Sequence, residues 1–150
     1  NDMIGIEYSS SLKNIYSIMV GIAHGLGYGD NFVSVLISHS SKEMSDFIKA
    51  VHKTNRKINH SAYLGDLLVT TYSSFSRNRT FGNMIGKGYS INSAKAEMNM
   101  IVEGYYATKN AFMLSKKLSI KFLIIDFCYK ILFENKSAKR QMKELSKYLY

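Results

Sequence analysis

The chain has 150 residues, of which 46% are hydrophobic and 21% are charged; this balance is typical of a folded domain and excludes a disordered one. Its richest apolar stretch, from Ile120 to Phe133, is interrupted by charged residues, so we expect no membrane span. Twenty lysines and arginines against 11 acidic residues give a formal charge of +9, which favours an anionic partner: nucleic acid, a membrane surface or a phosphorylated metabolite.

The N-terminal third predicts two long helices. The first residues contain no basic segment followed by an apolar one, so we expect no signal peptide, and the missing initiator Met suggests a trimmed fragment. Apolar residues recur every three or four positions from Glu7 to Leu26, which indicates a helix. The glycines between 25 and 29 end it, and Asp30 or Asn31 can cap a second helix that continues to Val51.

The remainder predicts shorter helices. The segment from His60 to Thr70 indicates two short helical pieces bent around Gly65-Asp66. Further helices are expected from Arg77 to about residue 86, from 92 or 93 to 98, and over 103–118, 123–133 and 137–149. No convincing strand alternation is present. The sequence therefore predicts one compact all-α domain of about seven or eight helices, with Cys128 as a buried thiol in a reducing compartment.

Lys13 is the first residue that suggests chemistry. It lies off the apolar stripe of the first helix, and small serines lie one turn away on both sides. Small neighbours let a ligand approach the amine closely, and a lysine shielded from water can act as a base. The alternative is an exposed lysine on the polar face, which is the usual state of this residue.

Asp66 is the second such residue, placed between a glycine and an apolar triplet. Its carboxylate could orient a substrate hydroxyl or the ammonium group of Lys13. The alternative is a helix cap, a position that Asp favours.

Two arginines, Arg77 and Arg79, fall in the first turn of a predicted helix, after the polar turn from Tyr72 to Ser76. The helix dipole disfavours a cation there by a few tenths of a kcal/mol up to about 1 kcal/mol. An anion bound to the free backbone amides and the guanidinium groups would reverse that sign, so the pattern predicts a phosphate site. The alternative is an exposed basic cap that contributes only to solubility.

Several other patterns do not indicate a site. The Gly25-Leu26-Gly27-Tyr28-Gly29 run resembles a nucleotide loop, but it follows a helix and not a strand. The four histidines, His24, His39, His52 and His60, lack the spacing of metal ligands, so we expect no metal.

Three motifs, taken together, resemble a known family. They are Leu12-Lys13-Asn14-Ile15 with the glycine-rich run from Gly21 to Asn31, then Tyr63–Thr70, then Ser76–Gly82. In order and spacing they resemble the C-terminal domain of bacterial-type NAD(P)-dependent glycerol-3-phosphate dehydrogenases, over roughly residues 4–134. The resemblance implies a fold like the C-terminal domain of 6-phosphogluconate dehydrogenase and an enzyme that interconverts glycerol 3-phosphate and dihydroxyacetone phosphate.

The resemblance also implies roles for individual residues. Lys13 matches the lysine that accepts the proton of the C2 hydroxyl, and Asp66 matches the acid that holds this polar network. The substrate-binding positions that it implies are Lys13, Asn14, Asp66, Thr70, Ser76, Arg77 and Asn78, and the cofactor-binding positions are Arg77, Ile101 and Glu103. Glu103 has an alternative, because an acid in the first turn stabilises a helix without any ligand.

The resemblance implies partners as well: NAD or NADP, an N-terminal Rossmann domain that binds most of it, and a homodimer as a further assembly. It implies a cytoplasmic enzyme of phospholipid biosynthesis. Because no strand–glycine loop–helix unit occurs in these 150 residues, we expect the chain alone to be inactive. Two departures from the family, Phe122 where proline is frequent and a basic stretch over 49–60, affect loop geometry.

One alternative function remains open from the residues themselves. The charge and the basic last helix, 137–150, suit a non-enzymatic helical module that binds nucleic acid or an acidic protein. A dehydrogenase of similar fold acting on another hydroxy acid is a third hypothesis, against which the Ser76-Arg77-Asn78 motif argues.

Overall fold

The computed structural model describes residues 2–55 and 61–150. These form α1 (Met3–Gly25), α2 (Asp30–Val51), a π-helical turn (Ser61–Gly65), α3 (Asp66–Tyr72), α4 (Arg77–Gly86), α5 (Ile91–Glu97), α6 (Glu103–Lys117), α7 (Leu123–Phe133) and α8 (Ala138–Leu149). No strand occurs among the described residues, and the predicted all-α fold is confirmed. The predicted start of the middle segment at His60 lies outside them, as does the part of the basic stretch over 56–60.

The helix ends follow capping chemistry, with small corrections to the prediction. Helix α1 begins at Met3, four residues earlier than expected, because the Asp2 carboxylate accepts a hydrogen bond from the amide of Gly5 at 3.1 Å. The cap of α2 is Gly29, so Asp30 is the first helical residue and not the cap. Ser76 caps α4, which begins at Arg77 as predicted.

Helix α1 lies at the centre of the domain and contacts α2, α3, α4, α6 and α7. Its buried residues include apolar side chains on every side, from Leu12 to Ala23. A helix that is apolar on all sides is expected to be enclosed by others. Consequently, any polar residue on α1 is brought against a neighbouring helix.

Glycines set the closest of these crossings, between α1 and α4. Gly21 and Gly25 on α1 lie against Gly82 and Gly86 on α4, so the two backbones are in direct contact. A Cβ atom on Gly82 would lie 2.0 Å from the carbonyl oxygen of Ile18, and one on Gly21 would lie 2.1 Å from that of Arg79. Only glycine permits this approach. The crossing brings the start of α4 beside the middle of α1.

A buried carboxylate connects α2 to the start of α7. Glu43 on α2 accepts hydrogen bonds from the amides of Ile124 and Ile125, at 2.7 and 3.0 Å, and so caps α7, whose own N-cap residue supplies no side-chain bond. Burial raises the pKa of Glu43 to about 7, against the lowering effect of these two amide bonds.

Cys128 on the same helix α7 is buried as predicted, and burial raises its pKa to about 12. Within residues 2–55 and 61–150, no helix combines the length and apolar character that crossing a membrane requires.

Candidate functional site

Lys13 and Asp66 form an ion pair between α1 and α3. The Nζ atom of Lys13 lies 2.7 Å from Oδ2 of Asp66, and the two side chains are 20% and 41% exposed. Lys13 is therefore not the exposed lysine of the alternative interpretation. Asp66 is not the cap of α3 either, because Gly65 occupies that position and the Asp66 carboxylate points to the amine.

A second polar network lies next to Lys13 and joins three helices. The Nδ2 atom of Asn14 donates to Oε2 of Glu103 at 3.3 Å, and its Oδ1 accepts from Nδ2 of Asn78 at 3.1 Å. Oδ1 of Asn78 accepts from the amide of Gly104 at 2.8 Å. Asn78 is buried, so its side chain fixes α1, α4 and the start of α6 relative to one another.

Arg77 lies at the exposed edge of this network, in the first turn of α4. Its Nη2 atom is 4.0 Å from Oε1 of Glu103, and Nη1 lies 3.4 Å from the sulfur of Met100. The guanidinium group of Arg79 turns away and donates to the carbonyl oxygen of Tyr72 at 3.1 Å. Of the two predicted anion-binding arginines, Arg77 therefore lies at the network, and Arg79 contacts the backbone at the end of α3.

The start of α4 also presents backbone donors. A helix leaves its first amides without partners inside the helix. The amide of Arg79 donates to Oγ of Ser76 at 3.3 Å, and that of Thr80 donates to the Ser76 carbonyl at 3.0 Å. Among the contacts of the described residues, this leaves the amides of Arg77 and Asn78 for an anion.

Ser17 connects the two halves of the arrangement. It lies one turn after Lys13, is fully buried, and its Oγ is 3.1 Å from both the carbonyl oxygen of Thr70 and Oγ of Ser76. The end of α3 and the cap of α4 are thus both held against α1. Thr70 is held through its backbone carbonyl, and its hydroxyl has no hydrogen bond to the described residues.

Four exposed apolar side chains lie close in the chain to predicted site residues. Phe75, at the tip of the loop between α3 and α4, is 95% exposed, and Val69, Met100 and Ile101 are also exposed. Ile101 is the one predicted site residue for which no side-chain bond joins it to these networks, although its neighbour Met100 contacts Arg77. We refer to Phe75, Val69, Met100 and Ile101 as the rim of the site.

Comparison with known proteins identifies the family of the chain. The family model for the C-terminus of NAD-dependent glycerol-3-phosphate dehydrogenase matches residues 2–143. The chain belongs to this family.

Named relatives agree. A glycerol-3-phosphate dehydrogenase [NAD(P)+] from Fusobacterium nucleatum is 42% identical over 144 residues, which are 96% of this chain and 43% of that protein. One from Staphylococcus aureus is 39% identical over 145 residues, 97% of this chain and 44% of that protein. The chain thus spans less than half the length of these curated relatives.

Solved glycerol-3-phosphate dehydrogenase structures share the fold. The crystal structure from Coxiella burnetii matches with a TM-score of 0.92 at 33% identity, over 97% of this chain and 45% of that one. The structure from Saccharomyces cerevisiae matches with a TM-score of 0.88 at 20% identity, over 97% and 43%, and this likeness concerns the fold alone.

The sequence alone gives no indication of several features of the domain. Ser17 was considered only as a small neighbour of Lys13, because a serine in an apolar helix gives no signal of its distant partners. Gly25 and Gly86 indicate helix ends, and Gly21 and Gly82 appear only within the family motifs, although the spacing of four residues in Gly21–Gly25 and Gly82–Gly86 is a signal for a close helix crossing. Met100 had no signal at all.

Proposed function

We propose that this chain is the substrate-binding half of an NAD(P)-dependent enzyme that interconverts glycerol 3-phosphate and dihydroxyacetone phosphate. The observation that carries the proposal is the Lys13–Asp66 ion pair, linked by the Asn14–Asn78 network to Arg77 at the start of α4. This arrangement combines a group that can move a proton with a group that can bind a phosphate, as the substrate requires.

Lys13 performs the proton transfer in this proposal. Its neutral amine takes the proton of the C2 hydroxyl when glycerol 3-phosphate is oxidised, and its ammonium group returns a proton to the ketone oxygen in the reverse direction. The Asp66 carboxylate, 2.7 Å away, orients the amine. The side-chain amide of Asn14 and the hydroxyl of Thr70 supply further contacts to the substrate.

The segment Ser76-Arg77-Asn78 binds the phosphate. The amides of the first turn of α4 and the positive end of the helix dipole favour an anion there, and the guanidinium group of Arg77 adds charge-assisted hydrogen bonds. Glu103, which is 4.0 Å from Arg77, keeps the guanidinium group at the edge of the site.

When bound, a nicotinamide cofactor, NAD or NADP, would supply the hydride acceptor for the oxidation and the hydride donor for the reduction. In this proposal Arg77, Ile101 and Glu103 contact the cofactor from this side, a role that their exposure supports. We propose that a Rossmann domain outside these 150 residues holds most of the cofactor, which the greater length of the relatives supports, since the chain matches 43% of the Fusobacterium nucleatum protein. We propose that this domain covers the rim of Phe75, Val69, Met100 and Ile101. The chain alone is then inactive. A homodimer and a cytoplasmic location, which the resemblance implies, remain predictions.

The proposal is tested first by binding. The chain is titrated with glycerol 3-phosphate and with inorganic phosphate by NMR, and shifts are expected in the amides of Arg77 and Asn78. Arg77→Ala should lose this binding. Shifts confined to the basic helix α8 would contradict the proposal and would favour non-specific anion binding.

The second test is turnover. The chain is fused to the nucleotide-binding part of a glycerol-3-phosphate dehydrogenase relative, and turnover is compared with that of the chain alone. Lys13→Ala should reduce the rate of the fused enzyme by roughly 100-fold to 10,000-fold, the range for loss of a general acid or base. Undiminished turnover of that variant would contradict the assigned role of Lys13.

The non-enzymatic alternative is not favoured. Lys139, Lys143 and Lys147 do point outward from α8, as a nucleic-acid-binding face would require. However, the family model matches residues 2–143, which include Lys139 and Lys143 of this helix.

A further inference from the structure

The hydroxyl of Ser17 determines where the proton of a neighbouring hydroxyl points. Oγ of Ser17 lies 3.1 Å from the carbonyl oxygen of Thr70. A carbonyl oxygen only accepts hydrogen bonds, so Ser17 must be the donor in this contact. A serine hydroxyl has a single proton, and that of Ser17 is therefore committed to Thr70.

The second contact of Ser17 then has only one direction. Oγ of Ser76 lies 3.1 Å from Oγ of Ser17, and because Ser17 has no further proton, Ser76 must donate. Oγ of Ser76 also accepts from the amide of Arg79 at 3.3 Å. The proton of Ser76 thus points into the protein, and the Ser76 oxygen has a lone pair and no proton left for a ligand.

We propose that Ser17 is a positioning residue that withholds the Ser76 hydroxyl from the substrate phosphate and keeps it as the cap of α4. This inference rests on the proposed function, since it concerns the phosphate site of that enzyme. The anion is then bound by the amides of Arg77 and Asn78 and by the guanidinium group of Arg77. Ser76 contributes through its place in the chain and not through its hydroxyl.

The proposal predicts that loss of the Ser17 hydroxyl increases phosphate affinity. A lone pair facing a phosphate oxygen repels it, whereas a hydroxyl proton would attract it. Removing the Ser17 hydroxyl frees Ser76 to rotate and donate to the anion. Ser17→Ala should therefore bind phosphate more tightly. If the role of Ser17 were merely structural, the loss of its buried hydrogen bond would leave phosphate affinity unchanged or lower it.

Phosphate affinity of the chain provides the first test, measured by calorimetry with inorganic phosphate and with glycerol 3-phosphate. Ser17→Ala should increase affinity roughly twofold to twelvefold, the effect of one typical added hydrogen bond. The double variant Ser17→Ala/Ser76→Ala should lose that gain. Ser40→Ala is the matched control, because Ser40 is equally buried and its hydroxyl bonds only within α2, to the carbonyl of Leu36. Unchanged or reduced affinity in Ser17→Ala overturns the proposal.

A double-mutant cycle tests the same bond without any ligand. Urea unfolding is measured for Ser17→Ala, Ser76→Ala and the double variant. If Ser76 donates to Ser17, the two substitutions should couple by roughly twofold to twelvefold in the unfolding constant. Ser40→Ala combined with Ser76→Ala should be additive. Additivity of the Ser17 and Ser76 variants also overturns the proposal.

The two measurements separate this inference from the proposed function. If neither the wild-type chain nor any variant binds phosphate or glycerol 3-phosphate, the proposed phosphate site is wrong, while the cycle still decides whether Ser17 fixes Ser76. If wild type binds through Arg77 but the cycle shows no coupling, the function stands and the role of Ser17 is wrong.

Discussion

The glycine crossing of α1 and α4 predicts a large effect for a single added methyl group, in Gly82→Ala. The new Cβ would lie 2.0 Å from the carbonyl oxygen of Ile18 and 3.0 Å from the amide nitrogen of Ile22. Both partners are backbone atoms in the middle of a buried helix, so neither can rotate away. To restore a contact of about 3.4 Å, the helices must separate locally by roughly 1.4 Å.

The cost follows from this displacement. Overpacking typically destabilises a core by about 1–3 kcal/mol, and occasionally by more. Alanine is a better helix former than glycine by up to about 1 kcal/mol, and this gain offsets part of the destabilisation. Because the overlap is between two backbones, we expect the upper end, a net loss of about 2 kcal/mol or more.

Urea unfolding followed by circular dichroism measures this loss. With an m-value of about 1–3 kcal/mol/M, the midpoint should fall by roughly 1 M. Gly29→Ala is the matched control: nothing lies within 4 Å of a Cβ there, and alanine at a helix cap should cost less than about 1 kcal/mol. A Gly82→Ala variant that unfolds at the wild-type urea concentration or above would refute the reasoning.

Three further predictions concern single side chains. Burial raises the pKa of Glu43 from 4.5 to about 7, so its contribution to stability is complete below pH 4.5 and is lost as the pH rises to about 7. Unfolding measured across this range should show a decline of about 3 kcal/mol that is absent in Glu43→Gln. Asp66→Asn removes the partner of Lys13, and turnover in an enzyme that includes the nucleotide-binding domain should fall roughly tenfold or more, with the substrate KM less affected. Arg77→Lys should weaken phosphate binding about tenfold, because lysine cannot bind two phosphate oxygens at once as a guanidinium group does. Arg79→Lys should change phosphate affinity less than about threefold, because the guanidinium group of Arg79 contacts the loop. Calorimetry with phosphate compares the two variants.

Elements whose signal is local could be predicted from the sequence. The apolar repeat from Leu12 to Ala23 gave α1 because a 3.6-residue period is visible in the residues themselves, and Ser76 before Arg77 gave the start of α4 because capping acts over three residues. The unfavourable position of the Arg77 charge at the positive end of the helix dipole indicates a bound anion for the same reason, because Arg77 and the first turn of its helix are neighbours in the chain.

Interactions between distant residues could not be predicted in this way. Lys13 and Asp66 are 53 residues apart, and Glu43 and Ile124 are 81 apart. On its own helix, Glu43 lies in a run of serines and lysines and resembles a surface residue. Only the fold shows that it caps another helix, so its raised pKa has no counterpart in the local sequence.

Substitutions on the two sides of α1 should therefore have different consequences. Lys13, Asn14 and Ser17 lie within five positions of one another and contact α3, α4, α6 and the cap of α4. Gly82→Ala moves α4 relative to these residues, so phosphate affinity should fall together with stability. Glu43→Gln acts between α2 and α7, away from them, and should change the pH dependence of stability without changing phosphate affinity. Equal losses of phosphate affinity in both variants would mean that the site depends on overall stability and not on the α1–α4 crossing.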